Sequence, residues 1–399
     1  MKTLNLGWAV LLACAVGCGG PVEPVNADGG SGTSRPDAGG TNTGEDAGAS
    51  SGEDAGSGGT GDAGTGPDAG VPPGPDAGVP PADAGTGGGQ DAGSAPDAGC
   101  DLTSCGGSPD VAGARTVQVS TASLSEPKGT VALKVYTPAG VTGAPVIVVH
   151  PGFQLAGDQY TSYAQHLASR GYVVVVTTPP YGGLFSPTSH AELATYLGHV
   201  LDWVVQQAGS GTLAGVADPS RIGLAGHSLG GKLSLLVASS DARPKAVFAL
   251  DPVDSGSPLS SDPVAYPSVA PQKMGSITVP LGLIGETTNA TGGFQPCAPS
   301  GENFQAYASS AVSPTVVQEM VGANHVSFLD NPACGFTCSA CAAGTDVPAT
   351  TRRLSRRAMT AFFDLTLRGD TAARGWLAGT QVQPDVTAGL VVVQVLNGF

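Results

Sequence analysis

The chain has 399 residues, a formal net charge of −15, only 12% charged side chains, and 61 Gly with 32 Pro. That much glycine and proline exceeds what one globular domain uses, so the chain divides into parts of different character. The acidic balance excludes a basic nucleic-acid-binding surface, and no stretch after residue 20 reaches the roughly 18 apolar residues of a membrane span.

Residues 1–18 (MKTLNLGWAVLLACAVGC) open with one lysine, pass through a short apolar run and end on small residues and a cysteine. This is the form of an export signal and stands apart from the fold. It resembles a bacterial lipoprotein signal. Cys18 is then the expected lipidated N-terminus, with Cys14 as the alternative. The resemblance implies an exported protein held by lipid at the cell envelope or outer surface, without spanning the membrane; cleavage nearby without lipid would make it secreted.

Residues 19–110 are expected to be a disordered tether. Between 19 and 100 there are 13 acidic side chains and a single base, Arg35. The triplet Asp-Ala-Gly occurs nine times, beginning at Asp37, Asp46, Asp54, Asp62, Asp68, Asp76, Asp83, Asp91 and Asp97. The irregular spacing and the lack of an apolar face exclude a stacked repeat. Nor is there the strict nonapeptide of a calcium-binding β-helix. Such a composition cannot bury enough surface to offset its ordering entropy. A Gly-rich coil of that length reaches roughly 50 Å, and self-repulsion extends it.

Beyond Cys18 there are six cysteines: Cys100, Cys105, Cys297, Cys334, Cys338 and Cys341. An even number in an exported chain predicts disulfides, with Cys100 and Cys105 close enough for a local loop. A zinc site would need Cys297 to join Cys334, Cys338 and Cys341 under reducing conditions, so structural disulfides are expected and no metal.

Residues 111–399 form the body. Strands are expected at 131–136, 145–150 (PVIVVH), 172–177 (YVVVVT), 221–225 (RIGLA), 246–250 (AVFAL), 280–284 and 315–320. Helical spacing occupies 160–170, 191–207, 229–239 and 352–367. Continuous apolar strands alternating with helices predict an α/β fold, a mostly parallel central sheet covered by helices on both faces. In such sheets the ligand lies beyond the carboxyl ends of the strands.

Gly226-His227-Ser228-Leu229-Gly230 stands between a strand and a helix. G-x-S-x-G in that setting is the nucleophile elbow, where a serine sits on a tight turn that glycines permit. Ser228 is the candidate nucleophile. The N–H of Leu229 would face a developing oxyanion. The loop after PVIVVH, His150-Pro151-Gly152-Phe153-Gln154, would supply the second donor, Phe153 N–H first and Gln154 next. The chain order for this elbow is serine, acid, histidine. Only His325 follows Ser228, the other histidines being 150, 166, 190, 199 and 227, so His325 is the candidate base. Asp251, directly after AVFAL, and Glu286, at the end of the next strand, are both open as the acid.

These stretches resemble the chlorophyllase-like and polyester-hydrolase (cutinase-like, dienelactone-hydrolase-like) α/β-hydrolases. GHSLGGK (226–232) is similar to the chlorophyllase elbow, LDPVD (250–254) to that family's acid segment, Cys297-Ala298-Pro299 with Gly301 and Asn303 to a cysteine-bearing loop, and GANHVSFLD (322–330) to its histidine loop. Pro151–Phe153 and HLASRGYVVV (166–175) are similar to polyester hydrolases. The resemblance spans about 130–370. It implies the α/β-hydrolase fold, Asp251 as the acid and Phe153 as an oxyanion donor. Leu229 stands where plant members usually carry Arg, so no substrate is fixed. The expected activity is serine-dependent hydrolysis of a small-molecule or polymeric ester, apolar, lipid-like or polyester, without cofactor. A peptidase with the same triad and a non-catalytic surface-binding lipoprotein are the alternatives.

Overall fold

The structure, a computed structural model, describes residues 107–183, 186–257, 259–291 and 296–399. Residues 1–18, where an export signal is expected, the Asp-Ala-Gly segment and Cys14, Cys18, Cys100 and Cys105 lie outside the described residues. Its strands are β1 (Val117–Glu126), β2 (Gly129–Pro138), β3 (Ala144–His150), β4 (Val173–Thr178), β5 (Gly182–Gly183), β6 (Ser186–Pro187), β7 (Ala217–His227), β8 (Pro244–Leu250), β9 (Leu281–Glu286), β10 (Thr315–Met320) and β11 (Val391–Leu396). All but the β5–β6 hairpin join one nine-stranded sheet of order β1-β2-β4-β3-β7-β8-β9-β10-β11. From β4 to β10 neighbouring strands run parallel, and β1, β2 and β11 complete the edges antiparallel.

The apolar runs are explained by burial on both faces. In β3, Val146 and Val148 point into one core while Ile147 and Val149 point into the other; in β4, Val173 and Val175 oppose Val174 and Val176 in the same way. This is the period-2 alternation of a strand with two dry faces. One face is closed by α1 (Thr161–Ser169) through Tyr163 and Leu167 and by α5 (Pro348–Arg368) through Met359, Phe362 and Phe363. The other is closed by α2 (His190–Ser210), whose Leu193, Leu197, Val200 and Val204 form a stripe, and by α3 (Leu229–Ala238) and α4 (Phe304–Ser310). Each such fully buried aliphatic side chain contributes about 1.5–3 kcal/mol.

Local signals fix the helix ends. The Ser189 hydroxyl accepts from Glu192 N–H while Glu192 accepts from Ser189 N–H, a capping box that starts α2. Gly369, left-handed at φ 75°, ends α5. The expected α/β architecture is the one found, an α/β-hydrolase fold. Besides the short β5–β6 hairpin, the strands absent from the sequence expectation are the two edges of the large sheet, β1 and β11. β1 (VQVSTASLSE) has no fully buried residue; only Val117, Ala122 and Leu124 pack partly against the cores, and pairing along its length with β2 holds it, so its apolar pattern is weak.

Folding buries several histidines. His166 on α1 is buried, with Nε2 2.8 Å from the Pro109 carbonyl, and burial draws its pKa from 6.5 down to about 4. The folded state therefore refuses a proton that the unfolded chain accepts. Its contribution is intact above pH 6.5 and is lost as pH falls toward about 4. Between about pH 7.5 and about pH 5.5 that loss is about 1.4 kcal/mol. In His166→Gln the group no longer titrates. The unfolding free energy of the variant, compared with the parent at both pH values, should gain by that amount in acid; an unchanged difference would contradict the assignment.

Candidate active site

The elbow is built by the crossing of β7 into α3. Ser228 sits between them at φ 56°, ψ −122°, a left-handed backbone that a serine adopts only under constraint. The constraint is packing. A Cβ on Gly226 would run into the carbonyl of Gly230, and one on Gly230 would run into the backbone of His150 and Pro151. Both glycines are needed for the turn to close against itself and against the loop after β3. Ser228 N–H donates to the Leu250 carbonyl at 3.0 Å, tying the elbow to the end of β8.

Three side chains meet there. His325 Nε2 lies 2.9 Å from Ser228 Oγ, and His325 Nδ1 lies 2.6 Å from Asp251 Oδ2. A carboxylate only accepts, so Nδ1 carries the proton and Nε2 is left to accept from the serine hydroxyl. Asp251 follows β8 at φ 41° and is fully buried, its N–H donating to the Ile284 carbonyl at 2.8 Å. Burial pushes the Asp251 carboxyl well above its ordinary value, with Glu319 adding to the effect. Burial also lowers His325 to about 4, which keeps the imidazole neutral near pH 7.

Glu286 ends β9 and is buried, but it faces elsewhere. Its carboxylate accepts from the backbone N–H groups of Thr288 and Asn289. Burial and then the charge of Asp251 push it up to about 8, against the pull of those amides. Asn289 carries the effect onward, since its Oδ1 accepts from His325 N–H at 2.7 Å. Its Nδ2 donates to the Ala342 carbonyl, as does Asn324 Nδ2. Ala342 follows Cys341, which is bonded to Cys297 in the loop after β9; Cys334 pairs with Cys338. The histidine loop is thus clasped by side chains and a disulfide. The four described cysteines form two bonds, as expected from their even number.

Of the oxyanion candidates, Leu229 N–H is at the first position of α3, where no preceding helical carbonyl accepts from it. Phe153 lies in the turn between Gly152 and Gln154, the latter at φ 56°. A Cβ on Gly152 would come within 3.3 Å of Ser228 Cβ, so this turn lies against the candidate nucleophile. Tyr181 OH donates to the Gly152 carbonyl at 2.6 Å, and its ring meets that of Phe153 edge-on at 5.7 Å.

A chlorophyllase sequence profile matches residues 110–386, which contain the elbow, both carboxylates, His325 and the two disulfides. The chain belongs to the chlorophyllase family. It is 24% identical over 233 residues to chlorophyllase-2 of Arabidopsis thaliana, covering 56% of this chain and 72% of that protein. It is 28% identical over 199 residues to the chloroplastic chlorophyllase-1 of Citrus sinensis, covering 48% and 57%, and 25% identical over 203 residues to chlorophyllase-1 of Arabidopsis thaliana, covering 48% and 61%. Chlorophyllase-family membership classes the protein with the carboxylic ester hydrolases.

Some residues that build the site were not singled out as functional in the sequence. Asn289 is one. Lys232, in the Gly226–Lys232 stretch, is another. It is fully buried on α3, donating to the carbonyls of Asp254 and Ser255 at 3.0 and 3.1 Å, with Asp254 Oδ1 at 3.4 Å. The Asp254 carboxylate in turn accepts from Val269 and Ala270 N–H. Lys232 thereby pins the segment that follows Asp251. The visible signal was a lysine within an otherwise apolar helix.

Proposed function

We propose that Ser228, His325 and Asp251 act as a catalytic triad in a serine ester hydrolase. The observation that carries this reading is the continuous hydrogen-bonded line from Asp251 through His325 to Ser228. His325 Nε2 takes the Ser228 proton as Oγ bonds to the ester carbonyl carbon. The carbonyl electron pair moves to oxygen, where the N–H groups of Leu229 and Phe153 would receive it. Asp251 holds the tautomer and stabilises the imidazolium without taking the proton. The bond to the leaving alcohol breaks, and the proton on Nε2 goes to that alcohol. Water, deprotonated by the same nitrogen, then releases the acid and restores Ser228.

An apolar acyl group suits the Phe153 and Tyr181 rings beside the Gly152 turn, which supports apolar, lipid-like or polyester substrates. The test is a fluorophosphonate probe on the parent and on Ser228→Ala, with a series of short to long acyl esters and matched amides. Labelling lost in the variant, with hydrolysis of esters over amides, is the expected result. Absence of labelling in folded parent protein would overturn the reading, and preference for amides would make the protein a peptidase.

A further inference from the structure

His227 precedes the nucleophile, and its side chain points into the body, 1% exposed. Its Nε2 lies 2.8 Å from the carbonyl oxygen of His325. A carbonyl only accepts, so Nε2 carries a proton. Burial holds the imidazole far below its ordinary pKa, with the His325 ring adding to the effect, and the ring is therefore neutral. Nδ1 must then be an acceptor. Its partner is Tyr160 OH at 3.0 Å, which lies just before α1 and is fully buried. The same phenol oxygen accepts from Gly152 N–H at 3.1 Å. One proton arrangement satisfies all three contacts: Gly152 N–H to Tyr160 oxygen, Tyr160 O–H to His227 Nδ1, His227 Nε2–H to His325 carbonyl.

This chain touches both sides of the reacting centre. At one end is the backbone of the residue whose ring holds Ser228 Oγ. At the other is the turn whose next amide belongs to Phe153. There is little slack between them, since a Cβ on Gly152 would stand 3.1 Å from His227 Nδ1. The His227 ring also lies 4.7 Å from that of His325 and 5.9 Å from that of Phe328, whose carbonyl accepts from Tyr163 OH at 3.0 Å.

We infer that Tyr160 and His227 are positioning residues, forming a directed hydrogen-bond relay that holds the Gly152–Phe153 turn in register with the backbone of His325. The inference rests on the ester-hydrolase reading. Neither side chain touches substrate. Their effect is to keep the oxyanion donor and the base at one fixed separation while charge develops on both.

The test uses the full-length protein and a short-chain ester. Tyr160→Phe removes one hydroxyl and leaves Gly152 N–H and His227 Nδ1 unpaired. Its kcat should fall by roughly ten- to a hundred-fold, below the loss typical of deleting an oxyanion donor outright, with KM nearly unchanged. Affinity for a boronic acid, which mimics the tetrahedral intermediate, should fall in step with kcat, while affinity for the product carboxylate should not. His227→Gln offers an N–H and a C=O to the same two partners and should retain most activity, whereas His227→Phe should not. Joining Tyr160→Phe to His227→Phe should add little, because the relay is already broken.

Parental kcat in folded Tyr160→Phe, additive losses in the double variant, or equal weakening of the boronic acid and the product would overturn the relay and leave the ester hydrolase standing. If Tyr160→Phe does not fold, equal activity of His227→Gln and His227→Phe would overturn it instead. A parent that is neither labelled by fluorophosphonate nor active on esters would remove both readings together.

Discussion

Replacing Ser228 with alanine is expected to lower kcat for ester hydrolysis on the order of 10⁴-fold or more, with KM little changed. In the proposed mechanism the loss falls on kcat, because Oγ would act on the ester carbonyl during bond formation and add little to ground-state binding. His325→Ala should cost a similar factor, since a serine without its base is a weak nucleophile at neutral pH. The double variant should be scarcely worse than either single one. Side chains joined at 2.9 Å and 2.6 Å operate as a unit, and removing a second member of a broken unit removes nothing further. The rate that remains should exceed that in water, because the Leu229 and Phe153 amides survive both substitutions. Steady-state kinetics on one activated ester, run on all four proteins, decide the matter. Losses that multiply would mean that Ser228 and His325 act independently, and the triad reading would fall.

The parallel strands were legible because their burial is uniform. Residues 145–150 and 172–177 are apolar at nearly every position, since each side chain meets a dry face whichever way it points. The elbow was legible because its glycines answer a local steric demand that the sequence records directly. His325 could be singled out as the candidate base by elimination within a known chain order. The edge strand β1 was not legible, because it is held by a partner strand and only Val117, Ala122 and Leu124 pack partly against the cores. Nor were Asn289, Tyr160 and Lys232. Their importance lies in which backbone groups they meet across the fold, and contacts such as Asn289 to His325 depend on how two loops end side by side. Spacing along the chain contains no trace of that. From spacing alone the choice between Asp251 and Glu286 stayed open, and only the family resemblance pointed to Asp251: the two stand at the ends of neighbouring strands, and the direction of the side chain separates them.

That direction leads to a large expected difference. Asp251→Asn should lower kcat on the order of 10⁴-fold while leaving the fold intact. An asparagine amide facing His325 Nδ1 can donate, and the imidazole then carries its proton on Nε2. In that tautomer it cannot accept from Ser228, so the nucleophile is not activated. Glu286→Gln should cost less than about tenfold, because the Glu286 carboxylate meets the N–H groups of Thr288 and Asn289 rather than the imidazole ring. The glutamine carbonyl can still accept from one of them. What the substitution loosens is Asn289, whose Oδ1 holds His325 N–H, so its effect reaches the base through the main chain. The two variants are compared by kcat on the same ester, with melting temperature as the control for folding. A loss in Glu286→Gln equal to that in Asp251→Asn would refute the division of labour. A larger loss in Glu286→Gln than in Asp251→Asn would move the acid to Glu286, against the 2.6 Å contact that ties Asp251 to His325.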